Sequence, residues 1–208
     1  MIVDCIGCTH GSLPKLSGGD LLIITGDLTA KDTLTEYSDF LEWLNTQDYK
    51  KKVVVAGNHD NFLQNNPNFY SKTNIDYLCD SGTEFEGCKI WGSPWTRTFP
   101  EMNPNCKAFT LDTEKELLEK WILIPDGTDI LITHSPSFGN FDYTTSGESV
   151  GSICLWFCIL DIKPKLHVFS HIHEAYGNCV HANGIILVNC SIMNERYKSV
   201  NKPFRIVL

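Results

Sequence analysis

A set of short, nearly continuous apolar runs limits what this chain can become. Leu21-Leu22-Ile23-Ile24-Thr25, Lys52 to Ala56, Asp129 to Thr133 and Leu166 to Phe169 have strand length, and they lack the alternation of a strand with one wet face. Such runs belong in sheets covered on both sides. Each stops at a polar cluster: Gly26-Asp27, Gly57-Asn58-His59-Asp60, Thr133-His134-Ser135 and Ser170-His171-Ile172-His173-Glu174. A fifth strand, Met1 to Ile6, runs out into Gly7-Cys8-Thr9-His10-Gly11.

Helical signals fall between these runs. Thr33 and Glu36 have capping-box spacing, and Leu34, Tyr37, Phe40, Leu41 and Leu44 form an apolar stripe behind them. The first sixty residues therefore read as βαβ construction with parallel strands. Asn61 to Asn74 reads as loop or short helix, and short β segments follow around Tyr77, Glu84 to Phe85 and Lys89 to Trp91. Thr96 to Ala108, with Pro100 and Pro104, reads as a surface loop. Asp112 or Thr113 caps a second helix, with Leu117, Leu118, Trp121 and Ile122 on one face and Pro125 and Gly127 ending it. Val150 to Ile162 is nearly apolar all round, the pattern of a buried helix, and Pro164 stops it. Ala175 to His181, Ile185 to Asn189 and Phe204 to Val207 read as strands, the first two joined by a hairpin at Asn183-Gly184.

With 208 residues, 42% hydrophobic and 20% charged, the chain is expected to fold as one soluble domain over residues 1–208. A net charge of -8 excludes a surface built for a nucleic-acid polymer, which needs many phosphates neutralised. It leaves room for a small phosphate ester beside metal ions. The nine cysteines are odd in number, scattered and without a Cys-x-x-Cys pair, so they read as reduced. Neither a signal peptide nor a membrane span is legible, and the expected location is the cytosol.

Ligands of open α/β sheets gather beyond the carboxyl ends of the strands. Five strand ends here carry nitrogen or oxygen donors, and His10, His59, His134, His171 and His173 are five of the seven histidines. Along an extended chain, His171 and His173 would aim to the same side, as a metal pair needs. His167 and His181 lie within strands and are read as ordinary histidines.

This order of fragments resembles the calcineurin-like metallophosphoesterase family, whose pattern is D-x-H, G-D, G-N-H-D/E, a later His and G-H-x-H. The similarity covers nearly the whole chain. Lys163 to Phe169 leading into Ser-His-Ile-His-Glu, with Gly92-Ser93-Pro94-Trp95 upstream, looks closest to the small cyclic-nucleotide-phosphodiesterase-like branch of metallophosphoesterase-domain-containing proteins. The resemblance implies an α/β fold, a four-layer αββα sandwich of two mixed sheets, with two divalent metal ions (Mn, Zn or Fe) at one edge. It implies one metal on Cys8, His10, Asp27 and His173, and the other on Asp27, Asn58, His134 and His171. It further implies hydrolysis of a small phosphoester, such as a cyclic nucleotide, by a metal-bound hydroxide, with His59 assisting the leaving group.

Two positions depart from the family pattern. Cys8 stands where D-x-H begins, and Asp4 lies about 13 Å back along the strand, too far to replace the missing carboxylate. A thiolate suits Zn²⁺ or Fe better than Mn²⁺ or Mg²⁺, so Cys8 either changes the metal at the first site or is a packed thiol that leaves it weakened. Ser170 stands where G-H-x-H begins, and its side chain is expected to crowd the substrate pocket. Besides the enzyme, two readings stay open: a catalytically weakened scaffold on this fold, and a metal-binding protein without turnover.

Overall fold

The computed structural model describes residues 1–99 and 106–208. In chain order the elements are β1 (Ile2–Ile6), β2 (Gly19–Thr25), α1 (Leu34–Thr46), β3 (Tyr49–Val55), α2 (Asn61–Asn65), β4 (Asp76–Leu78), β5 (Ser81–Phe85), β6 (Cys88–Ser93), β7 (Thr96–Arg97), β8 (Thr110–Leu111), α3 (Glu114–Trp121), β9 (Ile130–Thr133), α4 (Ile153–Ile162), β10 (Leu166–Phe169), β11 (Gly177–Val180), β12 (Ile186–Asn189) and β13 (Phe204–Val207). They build two large mixed sheets, ordered β13-β1-β2-β3-β4 and β11-β12-β10-β9-β6-β5.

The double burial expected of the apolar runs comes from this stacking. One face of each sheet meets the other through Val3, Leu21, Ile23, Val53 and Val55 against Ile90, Ile130, Ile132, Leu166 and Val188. The outer face of the first sheet is covered by Tyr37, Phe40 and Leu44 of α1 and Leu63 of α2, and that of the second by Leu117 and Trp121 of α3 with Leu155 and Ile159 of α4. The result is the four-layer αββα order. Thr33 and Thr113 close capping boxes with Glu36 and Glu116, which fixes where α1 and α3 begin.

Several expected faces prove narrower than the sequence implied. Leu34 and Leu118 are exposed, because a helix meets its sheet along one stripe, and exposed Ile122 caps the end of α3 instead of joining its buried face. The helix expected from Val150 is α4, which starts at Ile153 and buries only Leu155 and Ile159, while Ile153 and Phe157 face solvent. Of the expected 96–108 loop, Thr96–Arg97 pairs with Thr110–Leu111 in a small parallel ribbon, and Ala108 is a core residue. Its middle, 100–105, lies outside the described residues.

The parallel register places the carboxyl ends of the central strands together. Ile6 pairs with Ile24, Thr25 with Val55, Ser93 with Thr133 and Phe169 with Asn189. At that edge the two sheets are tied to each other. Gly7 donates to the Cys190 carbonyl at 3.0 Å, and Ile192 donates back to the Gly7 carbonyl at 3.0 Å. Asp4 sits below this edge, clamped by Arg205 through two 2.8 Å hydrogen bonds and by the Tyr49 hydroxyl. It is committed to holding β13 against β1.

Candidate metal centre

The loops after β1 and β2 run side by side, with Cys8 donating to the Gly26 carbonyl at 2.9 Å and His10 to the Asp27 carbonyl at 2.9 Å. Asp60, fully buried, accepts from the backbone N–H of Asp27, Leu28 and Gly57 at 2.9, 3.1 and 2.7 Å and from the Tyr37 hydroxyl at 2.8 Å. It braces the loops after β2 and β3 as one unit. The donor atoms of Cys8, His10, Asp27 and His173 lie within 4.8 Å of one another, as do those of Asp27, His134 and His171. Asp27 belongs to both groups. Asn58 joins the second through its Oδ1, 3.0 Å from His134 Nε2.

His171 and His173 reach these groups differently from the expected extended pair. The strand stops at Phe169, His171 has φ +70°, and His173 opens a single 3₁₀ turn, and the two imidazoles join different donor groups that share Asp27. His59 lies beside the cluster, its N–H on Asp27 Oδ1 at 3.0 Å and its Nδ1 3.3 Å from Cys106 Sγ. Ser170 does not crowd a pocket. It is buried beneath His134 and donates to the Thr25 carbonyl at 3.0 Å. His167 is buried against Thr133 Oγ1 at 2.8 Å, and His181 sits on the exposed hairpin turn with Asn183.

The hydrogen bonds behind the rings decide which nitrogens face inward. A carbonyl only accepts, so His134 Nδ1, 2.7 Å from the Thr25 oxygen, carries a proton and leaves Nε2 as the nitrogen that faces inward. That nitrogen lies 3.0 Å from Asn58 Oδ1 and 3.4 Å from Asp27 Oδ2, so without a metal its proton bridges to them and a cation would take that proton's place. His173 Nδ1 is likewise spent on the Asn194 carbonyl at 3.2 Å, so its Nε2 lone pair meets His10 Nε2 at 3.3 Å, with Asp27 Oδ2 3.6 Å from the latter. Acceptors converging in this way repel unless a proton or a cation lies among them, a place the His134 proton fills in the second group and a metal ion could fill in either. The donor set of nitrogens, carboxylate, amide oxygen and one sulfur fits divalent transition metals.

Titration behaviour follows the same geometry. Burial would raise the Asp27 carboxyl, but His134, His59 and His10 hold it well below the usual carboxylate range. Burial would lower His134, and the Asp27 charge overrides it and lifts His134 to about 9. Burial depresses His10 to about 3 and also lowers His171 and His173, which keeps them in the neutral, ligating form. Burial, with the Asp27 charge adding to it, pushes the Cys8 thiol up to about 11.

A cleft of about 270 Å³ opens beside the cluster, with Asn58, His171 and His173 at its base and Arg97, Phe99 and Tyr197 among its walls. The Tyr197 ring centroid lies 4.9 Å from those of His10 and His173. Sequence reasoning named neither Arg97, Phe99 and Tyr197 nor the bracing roles of Asp60 and Asn194. Asp60 carried a signal, being the fourth residue of Gly57-Asn58-His59-Asp60, whereas Asn194 and Tyr197 lie in a loop without periodicity.

Two stacked mixed sheets with histidine, carboxylate and amide donors gathered at one edge define a metallophosphoesterase-type protein. Residues 2–175 match the calcineurin-like phosphoesterase family, and the chain belongs to it. Metal-dependent hydrolysis of phosphoesters is that family's chemistry. Human metallophosphoesterase domain-containing protein 1 is 36% identical over 98% of this chain and 70% of its own length. A UPF0046 protein of Caenorhabditis elegans is 33% identical over 96% of this chain, which spans only 58% of that relative. A Thermus thermophilus protein of known crystal structure shares the fold at a TM-score of 0.62, with 16% identity, covering 90% of this chain and 88% of its own. No helix among the described residues is long and apolar enough to cross a membrane.

Proposed function

We propose that this protein hydrolyses a small phosphoester, with a phosphodiester such as a cyclic nucleotide as the leading candidate, using two divalent metal ions. The observation that carries the proposal is a pair of donor groups sharing Asp27, each with a histidine whose Nδ1 is held by a backbone carbonyl so that its Nε2 faces inward, an arrangement a pair of cations satisfies. Cys8, His10, Asp27 and His173 would hold one ion, and Asp27, Asn58, His134 and His171 the other. When bound, such a pair acidifies water and neutralises the charge of a phosphoryl group.

The chain's own residues do the rest. The carbonyls of Thr25 and Asn194 fix the tautomers of His134 and His173, so neither imidazole has to reorient to ligate. His59 is placed by its own N–H on Asp27, and its ring stands edge-on to His10 at 4.7 Å, from where it supplies a proton to the departing oxygen. The modest cleft, with aromatic walls, has room for a compact ester; Arg97 supplies a cation to it, and Glu174 and Glu195 are carboxylates in the same lining.

The test is hydrolysis of an activated phosphodiester and an activated phosphomonoester across Mn²⁺, Zn²⁺, Mg²⁺ and Fe²⁺. Turnover that a chelator abolishes, and that is faster on the diester, is the expected result. A protein that turns over neither ester with any of the four ions refutes the proposal.

A further inference from the structure

Asn189 ends β12, is fully buried and touches none of the donor groups, yet it joins the segments that carry them. Its Nδ2 donates to the Ile172 carbonyl at 2.8 Å and to the Phe141 carbonyl at 3.1 Å, while its Oδ1 accepts from the Ser191 N–H at 3.1 Å. The orientation of the amide is forced, since turning it over would set its oxygen against two carbonyls. Ile172 is the residue between the two histidines that serve the two donor groups sharing Asp27. Its carbonyl belongs to the peptide leading into His173, directly after the strained φ of +70° at His171.

The second acceptor, Phe141, lies in the segment between β9 and α4 that supplies Thr144, Thr145 and Val150 to the cleft. Two more contacts fasten that segment to the histidine loop. The Thr145 N–H donates to Glu174 Oε1 at 2.9 Å, and the Phe141 ring lies on Gly177, where a Cβ would come within 2.6 Å of it. Within the segment, buried Asp142 accepts from the N–H groups of Gly139 and Gly151 at 3.0 and 2.9 Å, so the wall is stiff.

We propose that Asn189 is a positioning residue: it holds the His171-Ile172-His173 turn in its ligating shape and locks that turn to the cleft wall carrying Thr144 and Thr145. This rests on the metal-binding reading above. The loop adopts a backbone that an isolated chain would avoid, and buried donors from outside the loop are what over-determine such a conformation. Removing them leaves the Ile172 carbonyl short of one partner and lets the peptide turn, which swings His173 Nε2 away from His10.

The experiment uses the metal alone, titrating Mn²⁺ and Zn²⁺ into the full chain by calorimetry. Asn189→Ala should bind roughly 10- to 100-fold more weakly, the usual effect of losing support behind a ligand. Asn189→Ser, which keeps one donor, should fall between it and the parent. Phe40→Leu, on the buried face of α1 against the other sheet, serves as the control for lost stability and should bind as the parent does. Equal affinity of Asn189→Ala and parent overturns the proposal, as does an equal loss in Phe40→Leu. Should Asn189→Ala not fold, parent-like binding by Asn189→Ser overturns it instead. A parent that binds neither ion defeats the metal reading itself, a different outcome from parent binding with insensitive Asn189 variants.

Discussion

Replacing Cys8 by aspartate should change both which metal the first site prefers and how many protons its binding releases. The Cys8 thiol is buried, and burial with the Asp27 charge pushes its pKa up to about 11. A thiol binds a cation as thiolate, so at pH 7 the ion must first drive off a proton. The gap between pH 7 and about 11 corresponds to about 5 kcal/mol of intrinsic affinity. Apparent affinity at the first site should therefore rise about tenfold per pH unit across pH 7 to 10. Zn²⁺ offsets this through a strong bond to sulfur, whereas Mn²⁺ and Mg²⁺, which favour oxygen, do not.

The new carboxylate of Cys8→Asp would also be raised by burial and by Asp27, but it starts from an intrinsic value about five units lower and needs far less driving. We expect Mn²⁺ binding and Mn²⁺-supported turnover to increase and the pH slope at the first site to flatten. Calorimetry in two buffers of different ionisation enthalpy counts the protons directly. At pH 8 the parent should release one from Cys8 and one from His134, whose pKa of about 9 keeps it protonated until a cation arrives. Cys8→Asp should release about one fewer. An unchanged proton count, or Mn²⁺ binding no tighter than in the parent, would refute the reasoning and leave Cys8 as packing.

Asp27→Ala should lose the most metal of any single change, since Asp27 belongs to both donor groups, and equal metal content by elemental analysis would sink the bridging assignment. His59→Asn should keep its metals yet slow turnover by roughly 10²–10⁴ on esters with poor leaving groups and much less on activated ones; metal loss in this variant would remove His59 from the acid role. Gly57→Ala should fold but bind metal poorly, because the added Cβ would stand 2.3 Å from Asp27 Oδ1 and 2.5 Å from His134 Cε1, and parent-like metal binding would show that the two groups need not stay close.

What could be read from the chain depended on how local its cause is. The strands were legible because double burial leaves an unbroken apolar run, and α1 and α3 because Thr33 with Glu36 and Thr113 with Glu116 act across three residues. Burial of a helix face is a tertiary property. Phe157 and Leu155 look alike in sequence, and only the side on which the sheet lies separates them. The donor residues were legible as types at strand ends. Their orientation was not, since the divergence of His171 and His173 depends on a left-handed backbone and on carbonyl partners far away in sequence. Asn189, Asn194 and Tyr197 left no signal because their roles arise only when the loops meet.

The backbone of the site explains why the residue at position 8 affects more than one metal. Cys8, His10, Asp27 and His171 hold φ of +46°, +41°, +54° and +70°, each a conformation that costs about 1–3 kcal/mol outside glycine. Each of their N–H groups is held by a residue of the same assembly: Cys8 by Gly26, His10 by Asp27, Asp27 by Asp60, and His171 by Cys8 Sγ at 3.1 Å. The sulfur thus lies in the first donor group while bracing a histidine of the second. Alanine at this position removes a donor and also releases the strained His171 backbone, so both groups should loosen together. Aspartate keeps an acceptor near the His171 N–H and changes chiefly the atom offered to the cation, which is why it isolates ligand chemistry from loop geometry.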